Sequence, residues 1–380
     1  MVFGSLKLSV LELEDPGRVT QRRALHTRSD PIRRKEDRPV ATSGFRNLGR
    51  SGLRVSPLCL GTMNFGNENF GCDEKTSTDI IHSFLDAGHN FIDTANVYSD
   101  TKSESIVGRA VKGRRDSVVI ATKAAAPLGP GPFEGGSSRK ALMKAVDDSL
   151  GRLDTDYIDL YQMHRYDFDT PIEETLSTLN DLVRAGKVRH IGVSNWAAAH
   201  IVDAVRVIES RGWEPIVSLQ PQYSILSRDI EVEIVPVCEQ FGLGVIPWSP
   251  LAGGMLTGKY ERGEEPSEDT RFGAPDPRTQ AMWRGLALRE RNYAIVDVVV
   301  EEASKLGSTP AELSLAWLLA RPSVVAPIIG PKSVKQLEEN LAALAVDLPA
   351  ETVERIDGAS QPRYPYPHNF LRMMRAEAGQ

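Results

Sequence analysis

Residues 157–196 read YIDLYQMHRYDFDTPIEETLSTLNDLVRAGKVRHIGVSNW, and their pattern decides the fold. Tyr157–Met163 is a short, mainly apolar run of strand length, Ile172–Ala185 is an amphipathic helical stretch, and Val188–Val193 is a second strand-like run. Gly186 punctuates the passage from helix to strand. A strand, a helix and a strand in succession form the unit of a parallel sheet, because parallel neighbours need a long crossover connection.

The same alternation continues in both directions. Strands are predicted at Leu58–Thr62, Asn90–Asp93, Ser117–Thr122, Tyr157–Met163, Val188–Val193, Ile216–Gln220, Gly244–Trp248 and Val324–Ile328, eight in all. Helices are predicted between them, among them Glu74–Ala87, Ser138–Arg152, Ile172–Ala185, Ala311–Ala320 and Ser333–Leu344. Eight βα units point to an α/β fold of the (β/α)8 TIM-barrel type. A doubly wound open sheet is the alternative, but no G-x-G-x-x-G opens the first helix. Gly129-Pro130-Gly131-Pro132 follows the third strand, and its prolines remove the N–H groups that a phosphate turn needs. Before the first barrel strand, Phe45 onward reads as a short β-hairpin around Gly49-Arg50-Ser51-Gly52. After strand seven, Tyr260 to Arg289 is a long loop and reads as a lid over the active face or as a disordered excursion.

With 380 residues, the chain can hold one barrel of ~250 residues plus extensions. Residues 1–44, rich in Arg, Asp and Pro, read as a disordered or extended N-terminal segment, residues 45–360 as the barrel, and residues 361–380 as a C-terminal tail. A net charge of -6 disfavours nucleic acid as a partner and favours small molecules. Cys59, Cys72 and Cys238 are too few and too scattered for a disulfide framework or a zinc site, so no metal is expected and a reducing cytoplasm is the simplest location. No run reaches the ~18 apolar residues of a membrane span. The outer helices carry no decisive apolar stripe, which leaves a homo-oligomer open.

Catalytic groups of a barrel enzyme sit at the C-terminal ends of its strands. Asp93 ends the second strand in FIDTANVY, Tyr98 follows five residues later, Lys123 ends the third in VVIATK, and His164 follows the fourth in YIDLYQMH. Each alone is explained by turns or packing, but together they should converge on one rim. Proton transfer by a phenol would use this set. The unperturbed pKa of a tyrosine, ~10, is high for donation near neutrality, and an adjacent ammonium is expected to lower it. Asp93 would keep Lys123 charged and in place, while His164 would orient a carbonyl oxygen or share its proton.

These four residues resemble the catalytic tetrad of the aldo-keto reductases, and the resemblance runs from about Phe45 to Asn340. It is carried also by LGTMNFG at Leu60, FIDTANVY at Phe91, IGVSNW at Ile191, PWSPLAGGMLTGKY at Pro247 and IIGPKSVKQLEEN at Ile328. The chain is similar to the aryl-alcohol dehydrogenase and potassium-channel β-subunit branch. The resemblance implies NADPH/NADP+ lying extended across the barrel mouth, and reduction of an aldehyde or ketone with Tyr98 as acid.

On that reading Ser194, Asn195 and Gln220 hydrogen-bond the nicotinamide carboxamide, Asp93 is a further cofactor-binding residue, and Trp248 stacks on the ring. Ser249, Pro250, Leu251 and Gly253 let the backbone approach the pyrophosphate, with Lys259 adding charge. Gly330, Lys332, Gln336, Glu339 and Asn340 match positions holding the adenosine end, where Ser333 and Gln336 can also form a capping box. Lys332 would favour a 2′-phosphate. Gly61, Thr62 and Met63 match the cofactor-side loop after strand one. Two rivals stand beside this reading: a Schiff-base aldolase using Lys123, and an NADPH-binding redox-sensing subunit with little turnover.

Overall fold

The computed structural model describes residues 44–67, 71–267, 270–273, 280, 281, 283, 285, 286 and 289–377. The predicted extended segment at 1–44 therefore lies outside the described residues, except for Gly44. Arg46–Asn47 (β1) pairs antiparallel with Arg54–Val55 (β2). Eight further strands form one parallel sheet: Cys59–Gly61 (β3), Phe91–Asp93 (β4), Val119–Ala124 (β5), Ile158–Met163 (β6), Val188–Ser194 (β7), Ile216–Gln220 (β8), Gly244–Val245 (β9) and Ile328–Ile329 (β10). Their order is β10-β3-β4-β5-β6-β7-β8-β9. At the edges, Val245 bridges Val324, and the N–H of Ile328 donates to Pro247 O at 2.8 Å, so the sheet curls until its two edges meet. This α/β architecture is consistent with the expected barrel.

Eight strands lie where the sequence places them, with shifted ends that have physical causes. β9 is only two residues long because Pro247 has no N–H for the ladder. Pairing resumes beyond it, with Trp248 N donating to Pro221 O at 2.9 Å. β10 starts at Ile328, directly after Pro327, for the same reason. The third barrel strand runs past Thr122 to Ala124, so Lys123 lies inside the ladder, opposite Gln162.

The helices Glu74–Asp86 (α1), Lys102–Ala110 (α2), Arg139–Leu153 (α3), Ile172–Arg184 (α4), Ala198–Arg211 (α5) and Ile234–Phe241 (α6) each follow a strand. Asp73 caps α1 by accepting from Thr76 N at 2.8 Å. α4 buries Leu176, Leu179 and Leu182 at a spacing of three, each such burial contributing about 1.5–3 kcal/mol. Helices Glu290–Leu306, Pro310–Leu319, Val334–Leu341 and Ala350–Ser360 follow, and His368–Glu377 within the C-terminal tail is also helical.

Two cores result. One lies between the sheet and the helices, and the other inside the sheet. The inner core joins Cys59, Phe91 and Val119, the first residues of β3, β4 and β5, to Leu48 and Val55 of the β1–β2 segment. That segment therefore covers the N-terminal end of the sheet, leaving the C-terminal end for chemistry. Gly49 is required there, since it has φ +56° and a Cβ would come within 2.2 Å of Val217 O. In the long connection, Tyr260, Phe272 and Trp283 pack with ring centroids 4.9–5.4 Å apart. Residues 268, 269, 274–279, 282, 284, 287 and 288 of that predicted lid lie outside the described residues.

Candidate active site

The C-terminal rim brings all four predicted catalytic residues together. Asp93 closes β4, Lys123 is the penultimate residue of β5, and His164 follows β6 with its N–H donating to Ala124 O at 2.9 Å. Tyr98 is turned back over the rim by an unusual backbone: Ser99, Asp100 and Thr101 have φ of 50°, 52° and 73°. Three successive non-glycine residues in the left-handed region store strain of a kind that concentrates at functional sites. The turn is tied down by Ser99 Oγ, which donates to Met63 O at 3.3 Å.

Lys123 is wholly buried and donates three hydrogen bonds: to Asp93 Oδ1 at 2.5 Å, Thr94 O at 2.9 Å and the Tyr98 hydroxyl oxygen at 3.0 Å. Asp93 Oδ2 accepts from Gln162 Nε2 at 3.0 Å and from Gln220 Nε2 at 2.8 Å. Burial alone would discharge the Lys123 ammonium, but Asp93 and the Tyr98 oxygen outweigh it and hold its pKa above the ordinary value. His164 behaves oppositely. Burial and the Lys123 and Arg165 charges push its pKa down to about 3, so its ring is neutral near pH 7. Its ring stands edge-on to Tyr98, with centroids 5.9 Å apart.

The expected direction for Tyr98 needs correcting. Lys123 does pull its pKa down, but burial is the larger effect and the Asp93 charge adds to it, so the net shift is upward. Tyr98 thus holds its proton throughout the neutral range. His164 is uncharged over the same range.

The candidates at the ends of β7, β8 and β9 form one hydrogen-bonded arc. Ser194 Oγ donates to Gln220 O at 2.8 Å, Asn195 Nδ2 donates to His164 O at 3.0 Å and Ser194 Oγ at 2.9 Å, and Trp248 Nε1 donates to Asn195 Oδ1 at 3.0 Å. Asn195 and Ser249 adopt φ of 58° and 53°, a second concentration of left-handed residues at this mouth. Gln220 joins this arc to the tetrad. Its amide nitrogen is engaged by Asp93 and points into the tetrad.

Beyond Trp248, Pro250 and Leu251 lead into a turn where Gly253 and Gly254 have φ of 68° and 96°. A Cβ on Gly254 would sit 3.1 Å from Lys259 Nζ, which places that amine beside the turn. After β10, Gly330 and Lys332 lead into the helix Val334–Leu341, whose N-cap Ser333 accepts from Gln336 N at 3.2 Å. The Gln336 side chain accepts from Lys332 N at 2.8 Å, one residue before the position a capping box requires. Asn340 is buried in this helix, and Glu339 lies 3.8 Å from Lys335. Thr62 donates to Asp93 O at 3.0 Å and so braces the tetrad strand. Gly61 answers to packing, since a Cβ there would meet Ile328 Cγ2 at 2.5 Å.

Two residues were missed from the sequence. Gln162, paired with Lys123 across the ladder, holds Asp93 but carries no signal apart from lying two residues before His164. Arg271, in the long connection, is partly buried and within electrostatic reach of Tyr98 and Tyr260. Its only signal was its place in the predicted lid.

A buried Asp–Lys pair grips a tyrosine at the C-terminal rim of a parallel, barrel-like sheet, and with the family match that follows it marks the chain as an oxidoreductase of the NAD(P)-dependent kind. The family model for the aldo/keto reductase family matches residues 57–361, and the chain belongs to that family. An uncharacterised oxidoreductase of Bacillus subtilis is 40% identical over 325 residues, covering 82% of this chain and 94% of that protein. A probable voltage-gated potassium channel subunit beta of Oryza sativa is 37% identical over 324 residues, covering 83% and 96%. A norsolorinic acid reductase of Aspergillus flavus is 34% identical over 347 residues, covering 88% and 85%. Among the described residues, no helix is long and apolar enough to cross a membrane.

Proposed function

We propose that this protein reduces an aldehyde or ketone to an alcohol with NADPH, on a closed (β/α)8 barrel formed by residues 45–360, with Tyr98 as general acid. The observation that carries the reading is the Lys123 ammonium, buried and locked by Asp93, donating to the Tyr98 oxygen at 3.0 Å beside a neutral His164. As a carbonyl oxygen gains negative charge, Tyr98 passes it a proton and the Lys123 ammonium stabilises the phenolate left behind. Neutral His164 can donate a hydrogen bond that orients the oxygen without competing as an acid.

The donor set suits a dinucleotide phosphate. Lys259 beside the positive-φ glycines that follow β9, Lys332 before the helix that follows β10, and Arg271 within electrostatic reach of Tyr98 are the cations that would face its phosphates. NADPH, when bound, supplies the hydride. Ser194, Asn195 and Trp248 would hold its nicotinamide end, with Gly61, Thr62, Met63 and Gln220 backing that end. Ser249, Pro250, Leu251 and Gly253 would hold the pyrophosphate, and Gly330, Gln336, Glu339 and Asn340 the adenosine end with Lys332. A 2′-phosphate near Lys332 is the basis for choosing NADPH over NADH. We place the protein in the cytoplasm, with residues 1–44 as an N-terminal extension and 361–380 as a tail beside the substrate pocket.

The relatives named as potassium-channel β subunits favour a second reading, an NADPH-binding partner subunit with little turnover. Lys123 as a Schiff-base nucleophile is disfavoured, because its raised pKa and three donated hydrogen bonds leave no free lone pair. The test is titration with NADPH and NADH by Trp fluorescence, followed by a panel of aldehydes and ketones. Quenching by NADPH and its oxidation on carbonyl addition supports the reductase. Binding without turnover on the whole panel favours the partner-subunit reading, and failure to bind either nucleotide overturns both.

A further inference from the structure

A cavity of about 480 Å3 opens where the loop after β8, the start of helix Glu290–Leu306 and the chain after Ala350–Ser360 meet. No tetrad or cofactor candidate lines it. Arg228, Arg289, Arg291 and Arg363 contribute four guanidinium groups to its wall, against the carboxylates of Asp229 and Glu290. That excess of positive charge is unusual for a chain with a net charge of -6.

The four arginines are not equivalent. Arg228 is buried and saturated: it donates to Glu231 at 2.7 and 2.9 Å, to Asp357 Oδ1 at 2.9 Å and to Ser360 Oγ at 2.8 Å, so it forms the wall. Arg291 donates to Gln361 O at 2.6 Å. Setting aside the paired groups on both sides, Glu290 with Arg262 at 3.0 Å and Arg228 with Glu231 and Asp357, leaves Arg289, Arg291 and Arg363 facing Asp229. Among the described residues, Arg289 and Arg363 have no side-chain hydrogen bond or ion pair, and both stand exposed at the rim.

Helix polarity supplies a second, independent argument. Arg289 is the N-cap of the 17-residue helix Glu290–Leu306, makes no side-chain cap hydrogen bond, and is followed at one remove by Arg291. Cations at the positive end of a helix are unfavourable, and uncapped first-turn N–H groups attract an anion. Glu290 in the first turn and the Asn292 N–H, which donates to Arg289 O at 2.8 Å, offset part of this, and a negatively charged ligand would offset the rest; the volume falls within the usual range for small-molecule sites.

We propose that this cavity binds a small multivalent oxyanion, a phosphate ester or a polycarboxylate, with Arg289 and Arg363 as donors and the helix N-terminus behind them. The proposal does not depend on the reductase reading. It is tested by calorimetric titration of the full chain with inorganic pyrophosphate and, separately, with citrate. Three proteins are compared: the natural sequence, the double variant Arg289→Gln/Arg363→Gln, and Lys332→Gln, which reports on the separate helix N-terminus at Ser333.

The expected result is a binding event that persists in Lys332→Gln and weakens about tenfold or more for each charge-assisted bond removed in the double variant. In anion-free buffer the double variant should melt no lower than the natural protein, because it removes cations from a positive helix end. Stronger binding of pyrophosphate assigns the phosphate-ester class, and stronger binding of citrate the polycarboxylate class. The proposal is overturned if neither anion binds, if every binding event survives in the double variant, or if all binding disappears in Lys332→Gln.

Discussion

Replacing Asp93 with Asn probes the electrostatic centre of the site. The Lys123 ammonium is wholly inaccessible, and the Asp93 carboxylate is its charged partner at 2.5 Å. Removing one member of a buried ion pair costs about 3–5 kcal/mol, because the remaining charge is stranded. The amide adds a geometric conflict: Gln162 and Gln220 both direct N–H groups at Asp93 Oδ2, and an Asn NH2 in that place would face two donors. Thermal melts at pH 7 should therefore fall by roughly 5–15 °C.

The pH dependence has a defined sign. In the natural protein the raised Lys123 pKa means the pair stabilises fully below the unfolded lysine value of 10.5 and fades as pH rises through the folded value. In Asp93→Asn burial acts without its counterweight, so the folded pKa falls below the unfolded one and stability rises with pH between the two. The gap between the proteins should narrow from about pH 7 toward 10, and adding Lys123→Met to Asp93→Asn should recover much of the loss. A deficit below about 1 kcal/mol, or a gap that widens with pH, would refute this account of the pair.

Carbonyl reduction should show a flat kcat/KM from roughly pH 5 to 9 and a fall only above the ordinary tyrosine value of 10.0, as the Tyr98 and His164 shifts require; an inflection near pH 6.5 would show that His164 titrates there instead. Asn195→Ala removes the acceptor of the Trp248 indole N–H and the bonds to His164 O and Ser194 Oγ, at a residue with φ of 58°, so nucleotide affinity by Trp fluorescence should weaken by about tenfold, with a loss of stability of about 1–2 kcal/mol by denaturant melts. Gly253→Ala places a Cβ 2.2 Å from Phe272 Cζ at φ +68°, and denaturant melts should report a loss of about 1–3 kcal/mol.

The architecture was legible because strands and helices alternate with periods the physics distinguishes, as in Ile158–Met163 followed by the spaced leucines of α4. The tetrad was legible because Asp93, Lys123 and His164 fall at or beside the C-terminal ends of their strands, where the direction of a parallel sheet brings them together. The partners of Asp93 were not. Gln162 and Gln220 reach it across 69 and 127 residues, and nothing local to either glutamine separates an inward amide from an ordinary strand residue. The direction of the Tyr98 shift was also out of reach, since the depth of burial that outweighs Lys123 is set by the packed site as a whole.

The most direct test of the account is single-turnover reduction by Tyr98→Phe, with NADPH affinity measured in parallel. Loss of the proton donor should slow the chemical step by about 10²–10⁴-fold while leaving NADPH affinity within about twofold of the natural protein. Undiminished turnover, or a loss of turnover matched by an equal loss of NADPH affinity, would contradict the assignment of Tyr98 as the acid.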